Sequence, residues 1–235
     1  EISCSLVGSE MCIRDSTSFA EKYHLESGQY TQAELTSLCN ELTDQLNTLS
    51  DSLGRDSDGL ADMGKDLQDR ARVAMFSLGA TYPELSGYYP QPKGLLFPAF
   101  LSVQNLSGIY SPFTIEANYN SAMVSYNLPF TICHELSHLR GFMQEEEANF
   151  IGFLACVNAD DTTFNYSGYL LGWIYATNEL YEVDYDTFEE IYNRLSDNVK
   201  ADLSANSSFW KRYDSKVAEV SGQINDHYLK ANGQS

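Results

Sequence analysis

Two histidines and a glutamate in the segment TICHELSHLRGF have the types and spacing of a metal-dependent hydrolytic site. On a helix, at about 100° per residue, His134 and His138 lie within about 40° of each other, so both imidazoles point into the same space. Tetrahedral zinc uses a pair of ligands arranged in this way. Glu135 lies beside them, where it can hold a water molecule at the metal and act as a general base without being a ligand.

A third protein ligand is expected from the segment that follows, QEEEANF. Gly141 suits the position just past the end of the first helix, and a second helix can begin near Gln144. Its first turn then contains Glu145, Glu146 and Glu147. Negative charge at that end also stabilises a helix through its dipole, which alone could explain the triplet. The residues by themselves leave open which glutamate binds the metal.

The helix that must position the histidines has its own signals. Pro129 suits a first helical turn, and Ile132, Leu136 and Leu139 form an apolar stripe on the face opposite the histidines. A buried face and a metal-binding face on one helix fit this pattern. The alternative is a polar helix face that binds no metal.

The other elements are mostly helical. A capping box at Thr31 and Glu34, followed by leucines at spacings of three and four, predicts an amphipathic helix. A second helix is predicted over Leu60–Leu78, and a third, capped at Asp186, through Leu195. Two alternating segments between Phe113 and Tyr126 predict a β-hairpin.

The composition favours a globular domain and excludes some partners. The 235-residue chain is 43% hydrophobic, and its formal net charge of −19 would repel nucleic acids and anionic lipid surfaces. No apolar run reaches the roughly 20 residues of a membrane helix. The segment DSDG at 56–59 resembles the opening of a calcium loop but lacks the remaining ligands, so a polar turn is the better interpretation.

The first sixteen residues, EISCSLVGSEMCIRDS, are set apart because their second half resembles a translated sequencing adapter. Residues 17–235 are expected to form a single domain. Its predicted parts are an N-terminal helical part (17–80), a metal-binding core (81–182) and a C-terminal helical part (183–235). Such a start leaves room for a membrane anchor upstream of the present chain.

Three segments in this order, SGIYSPFTIEANYN, HELSHLRGFMQEEEANFIGFLAC and YSGYL, resemble a bacterial family, domain-of-unknown-function family 3810 (DUF3810). Its members are expected to be zinc peptidases, and the resemblance extends from about Phe19 to the C-terminus. It implies a gluzincin-like domain that follows transmembrane helices in the complete protein and lies outside the bilayer. The present chain would then be a soluble fragment truncated at both ends.

The resemblance also implies roles for residues of the second helix. EEEANF is similar to the Glu-x-x-Ala-Asp segment of gluzincin peptidases, in which the first Glu binds zinc and the Asp orients a histidine ligand. Glu145 then becomes the third ligand, with Glu146 as the alternative, and Asn149 takes the orienting position. Asn149 departs from the pattern, since an amide accepts a hydrogen bond from an imidazole N–H but brings no charge.

These inferences together predict an α+β, zincin-like domain, predominantly helical, with a small, mainly antiparallel sheet beside the metal-binding helix. One Zn²⁺ per chain is expected, held by His134, His138 and Glu145, while Glu135 acts as the base in hydrolysis of a peptide or protein substrate. The substrate would lie extended along an edge strand of the hairpin. Candidate oxyanion donors are Tyr166, Tyr169 and His227. There are two alternative functions: a catalytically silent zinc-binding sensor or interaction domain, and a helical binding protein without a metal. The sequence does not indicate the oligomeric state.

Overall fold

The computed structural model describes residues 18–25, 28–95 and 98–213 of the chain. Helices dominate this part, and the predicted α+β class is confirmed. They are α1 (Phe19–Lys22), α2 (Gln32–Ser52), α3 (Leu67–Leu78), α4 (Pro98–Val103), α5 (Asn127–Leu139), α6 (Glu145–Val157), α7 (Thr162–Val183), α8 (Tyr185–Arg194) and α9 (197–213). None of the described helices combines the length and the apolar character needed to cross a membrane.

A three-stranded mixed sheet accompanies the helices. Its strands are β1 (Lys93–Gly94), β2 (Gly108–Ser111) and β3 (Glu116–Tyr119), in the spatial order β1-β3-β2. The central strand β3 pairs parallel with β1 over two residues and antiparallel with β2 over four. Strand β2 therefore lies at an edge of the sheet.

The predicted hairpin was wrong in its bounds, although a hairpin forms nearby. Phe113 and Ile115 lie in the turn between β2 and β3, where Ile115 has a left-handed φ of 55° and Phe113 is 85% exposed. The segment 122–126 is not a strand, because the Asn120 side chain accepts a hydrogen bond from the Ala122 N–H and closes a turn into α5. The alternating apolar residues of this segment thus lie in a turn that leads into α5, and they form no β-ladder.

The helix predictions were more accurate, with two corrections. The capping box at Thr31 is present and begins α2. Helix α3 begins at Leu67 and not at Leu60, since Asp66 just before it has a left-handed φ of 57°. Helix α8 is capped by Asp184 and not by Asp186, as the Asp184 side chain accepts a hydrogen bond from the Thr187 N–H.

Helix α5 is almost completely buried and is fixed at both ends. At its start, the Ser167 hydroxyl of α7 accepts a hydrogen bond from the Phe130 N–H (3.1 Å) and donates one to the Tyr126 carbonyl (2.5 Å). At its end, Gly141 has a φ of 93° and its N–H donates to the His138 carbonyl, as predicted for a glycine that ends a helix. The orientation of the helix is therefore set by its own capping and by α7.

Helix α6 packs closely on α5 because of a glycine. A Cβ atom added at Gly152 would lie 3.2 Å from the backbone N and 3.3 Å from the Cα of His134. The absent side chain lets the two helix backbones approach at the level of the first histidine. The buried residues around them belong to one hydrophobic cluster that extends from Phe19 to Val199.

Candidate metal centre

The two histidines of α5 face each other in a buried position. Their Nε2 atoms are 3.1 Å apart, and the residues His134 and His138 are only 9% and 6% exposed. The four-residue spacing on one helix face accounts for this convergence. Two imidazoles therefore offer their outer nitrogens to one point.

Glu145, the first residue of α6, completes the cluster. Its Oε2 is 3.2 Å from Nε2 of His134, and its Oε1 is 3.6 Å from Nε2 of His138. One ligand atom from each of the three side chains lies within 4.8 Å of the others. At a metal–ligand distance of about 2.1 Å, tetrahedral ligands are about 3.4 Å apart, so this donor set could hold a tetrahedral metal ion.

The structure brings Glu145, and not Glu146, to the histidines. Among the described residues, these three side chains are the one group of histidine, cysteine, aspartate and glutamate that could hold a metal ion. Segment 56–59 is a polar turn, in which the Asp56 carboxylate accepts hydrogen bonds from the N–H groups of Asp58 and Leu60. The polar-turn prediction is thus confirmed for that segment.

Hydrogen bonding fixes the tautomer of one histidine. The Nδ1 atom of His138 is 2.8 Å from the carbonyl oxygen of Phe142, which can only accept a hydrogen bond. Nδ1 must then carry the proton, and Nε2 keeps a lone pair for a metal. This orienting group is a backbone atom, so residue types could not reveal it.

The surroundings of His134 favour the neutral ring. Burial, followed by the neighbouring His138, lowers the pKa of His134, while Glu145 and Asn149 raise it by smaller amounts. A neutral imidazole is the form that binds a metal. Asn149 lies beside His134, but Nδ1 of that ring has no hydrogen-bond partner among the described residues, so the orienting role of Asn149 stays a prediction.

Glu135 is a buried carboxylate beside the three ligands. It is 4% exposed, and its Oε2 atom has no hydrogen-bond partner in the described part of the chain. Burial, and then the charge of Glu145, raise the pKa of Glu135 to about 8. A buried carboxyl group without a partner is costly, and a bound cation with its water would supply what it lacks.

Strand β2 runs directly against Glu135. A Cβ atom at Gly108 would lie 2.3 Å from Oε1 of Glu135, so only glycine leaves room for the carboxylate in this position. The segment SGIYSPF, which contains Gly108, carried part of the family resemblance, but its role as a wall of the site was not predicted. A contact between residues 27 positions apart leaves no local pattern.

The predicted oxyanion donors do not meet the site. Tyr166 is fully buried, and its hydroxyl donates a 2.5 Å hydrogen bond to Asp202, a buried carboxylate that also pairs with Arg55. Tyr169 packs edge-on against Phe153 and lines neither cavity at the metal centre. His227 lies outside the described residues.

Two other tyrosines border the centre. Tyr110 of β2 has its ring centroid 6.1 Å from that of His138. Tyr175 of α7 shares a cavity with Glu145, and its pKa is raised by burial and by the charge of Glu145. Sequence reasoning missed both, since each reaches the centre from another element.

Two cavities adjoin the metal centre, and both are lined by His134 and Glu145. The first, about 430 Å³, follows strand β2. The second, about 360 Å³, lies between α5, α7 and α9 and has an apolar wall formed by Phe130, Leu171 and Ile174. In the described part of the chain, no lysine or arginine lines either cavity. The centre therefore lies midway along an open cleft.

A family model described as "Protein of unknown function (DUF3810)" matches residues 14–235 of the chain. The match covers the metal centre, strand β2 and helix α7. No curated protein and no solved structure matches the chain. Since the family description gives no activity, the chemistry of the site must be argued from its geometry.

Proposed function

The chain belongs to the DUF3810 family of proteins of unknown function, and we propose that it is a zinc-dependent peptidase. The observation that supports this proposal best is the convergence of three potential ligand atoms beside Glu135, a buried carboxylate with an oxygen that has no hydrogen-bond partner among the described residues. The remaining features follow from that arrangement. The proposal includes a zincin-like fold, in which the edge strand β2 lies beside α5, the helix that carries the two histidines.

His134, His138 and Glu145 would hold the zinc ion through two imidazole nitrogens and a carboxylate oxygen. Three protein ligands leave one position open, as in catalytic rather than structural zinc sites. A zinc ion held there would supply Lewis-acid chemistry, which polarises an amide carbonyl and lowers the pKa of a bound water molecule. One zinc ion per chain is expected.

Glu135 moves the proton. It takes a proton from the attacking water and returns it to the nitrogen of the leaving amine. Its pKa is raised to about 8 by burial and by Glu145, and a cation beside it would lower that pKa toward neutrality. A carboxyl group with a pKa near the working pH can both accept and return a proton.

Strand β2 supplies a backbone edge for an extended substrate. Within the part of the chain that the structure describes, β2 has a strand neighbour, β3, on one side only, and Gly108, Ile109 and Tyr110 line the first cavity. An extended peptide can pair with such an edge and present its carbonyl to the metal centre. Tyr110 and Tyr175 replace the earlier candidates as donors to the developing oxyanion.

Metal analysis and peptide hydrolysis test the proposal together. Protein purified without added zinc should contain about one zinc per chain, and a chelator should abolish hydrolysis of a mixed peptide library. Glu135→Gln should keep its zinc, while hydrolysis falls by at least ~10²-fold because the base is lost. Glu146→Gln is the matched control, since Glu146 is exposed and outside the ligand cluster.

The outcomes separate an enzyme from a zinc-binding module. Bound zinc without any hydrolysis across a broad library would favour a sensor or interaction domain. Equal hydrolysis by Glu135→Gln and wild type would remove Glu135 from the mechanism. Absence of zinc in the wild type, with hydrolysis unaffected by chelator, would contradict the proposal as a whole.

Membrane anchoring of the complete protein stays a prediction that rests on the family resemblance alone. Fractionation of cells that produce the complete protein, with detection of this domain in the membrane pellet, tests it.

A further inference from the structure

A third cavity lies on the outer side of helix α7, against α2. It measures about 440 Å³, and its floor is apolar, formed by Leu35 and Leu38 of α2 and Ala176 of α7. Leu38 is 47% exposed there. An open apolar groove of this kind can accept apolar side chains, and its place beside the candidate metal centre suggests whose they are.

Tyr175 joins this groove to the metal centre. It lines both the second cavity, which holds Glu145, and the third. At about 100° per residue, Leu171 and Glu179 point about 80° apart around α7, and Tyr175 lies midway between them. Leu171 lines the second cavity and Glu179 the third, so the two cavities meet across one side chain.

The three cavities therefore lie side by side in series. The first and second share His134 and Glu145, and the second and third share Tyr175. From Leu171 to Glu179 the helix rises about 12 Å, which an extended chain spans in about four residues. This is a path for a polypeptide and is longer than a dipeptide or a single amino acid requires.

The charge along this path has one sign. Glu34 and Glu179 border the third cavity. Hydrogen bonds from Thr31 lower the pKa of Glu34 and outweigh the smaller opposing effect of burial. In the described part of the chain, no lysine or arginine lines any of the three cavities. A basic side chain would find carboxylates there, whereas a terminal carboxylate would find no cationic side chain among the described lining residues.

From these observations we infer that the substrate is an internal stretch of an extended polypeptide. It reaches from the metal centre across Tyr175 into the groove between α2 and α7, where apolar and basic residues are preferred. The interpretation of the three cavities as a substrate path rests on the proposed peptidase function. The cleft selects against free C-terminal residues and against acidic segments.

Leu38→Arg tests the inference, because its longer side chain fills the groove and places a positive charge beside Glu34 and Glu179. Phe76→Arg is the matched control, since Phe76 is an exposed apolar residue of α3 that lines none of the three cavities. Two peptides are compared: a short one around the scissile bond, and a long one extended on both sides by leucine and lysine residues. Melting temperature and zinc content are measured for each variant.

For the wild type, we expect kcat/KM to be higher for the long peptide than for the short one. Leu38→Arg should reduce the ratio of the two values on the order of tenfold, because one apolar contact is lost and a positive charge meets the lysines of the peptide. Phe76→Arg should leave the ratio unchanged. Replacing the lysines of the long peptide by glutamates should also lower its kcat/KM.

A ratio that Leu38→Arg leaves unchanged, or that both variants reduce equally, would overturn the inference while the peptidase proposal stands. The reverse outcome is read from binding alone, with zinc-loaded Glu135→Gln and fluorescently labelled peptides. If the long peptide binds about tenfold more tightly than the short one, and Leu38→Arg removes this difference, the path is supported even where the wild type cleaves nothing. The peptidase proposal would then fail by itself.

Discussion

Gly108→Ala tests the placement of Glu135 most directly. A Cβ added at Gly108 would lie 2.3 Å from Oε1 of Glu135, 2.7 Å from its Cδ and 2.8 Å from its Cγ. Non-bonded heavy atoms of this kind rest about 3.5–4.0 Å apart, so the carboxylate must move by about 1 Å or more. The backbone is no obstacle, because Gly108 is not among the glycines with positive φ.

The expected result is a loss of activity without a loss of metal. Glu135 is not a ligand, so its displacement leaves His134, His138 and Glu145 in their positions. A catalytic group misplaced by about 1 Å costs about 10²-fold in rate, and kcat/KM for peptide hydrolysis should fall by that order. Zinc content, measured in the same preparation, should equal that of the wild type.

Gly54→Ala is the matched control for this substitution. A Cβ at Gly54 meets no atom within 4 Å, and its φ is not positive, so zinc content and hydrolysis should both be unchanged. Full activity of Gly108→Ala with full zinc would refute the argument that the position of Glu135 matters. Loss of zinc would show that β2 positions the ligands as well as the base.

Four further outcomes are expected. His134→Ala should abolish zinc binding, and near-stoichiometric zinc in this variant would contradict the site. Glu145→Gln should lose zinc while Glu146→Gln retains it, both measured by metal analysis after dialysis. Asn149→Ala should weaken zinc affinity by roughly ten- to a hundredfold in a competition titration, since it removes the polar side chain beside His134 that is expected to orient the ring in the metal-bound state. Asp202→Ala should lower the free energy of unfolding by about 3–5 kcal/mol in chemical denaturation, because buried partners lose their carboxylate, and a change below about 1 kcal/mol would contradict that role.

The elements that carry the histidines could be predicted because their signals are local. The spacing of His134 and His138, the apolar stripe on the opposite face and Gly141 at the helix end all lie within about three helical turns. Each of these signals concerns a single helix and does not depend on tertiary contacts. The capping box that begins α2 is predictable for the same reason.

The rest of the site depends on contacts between distant segments. Gly108 and Tyr175 approach the centre from a strand and from another helix, and only packing decides which side chains arrive there. The hairpin was misplaced because alternation cannot distinguish a strand from a turn whose Ile115 adopts a left-handed φ. Tyr166 was proposed as an oxyanion donor from its residue type, but its hydroxyl is bonded to the buried Asp202, which lies 36 residues further along the chain.

The glutamate triplet at the start of α6 shows how one local pattern divides into separate roles. Successive residues of a helix point about 100° apart, so the three carboxylates cannot share one partner. Glu145 turns to the histidines, whereas the Glu147 carboxylate accepts a 2.5 Å hydrogen bond from the Phe19 N–H.

That second contact also reaches the metal centre. The Phe19 ring packs edge-on against Phe142 at 5.5 Å, and the carbonyl of Phe142 accepts the hydrogen bond that fixes the His138 tautomer. Glu145 thus offers a carboxylate oxygen to the candidate centre, and Glu147 holds the segment whose Phe19 ring packs against Phe142. The helix dipole favours negative charge at both positions, but only the tertiary partners explain why two of the three glutamates are needed where they are.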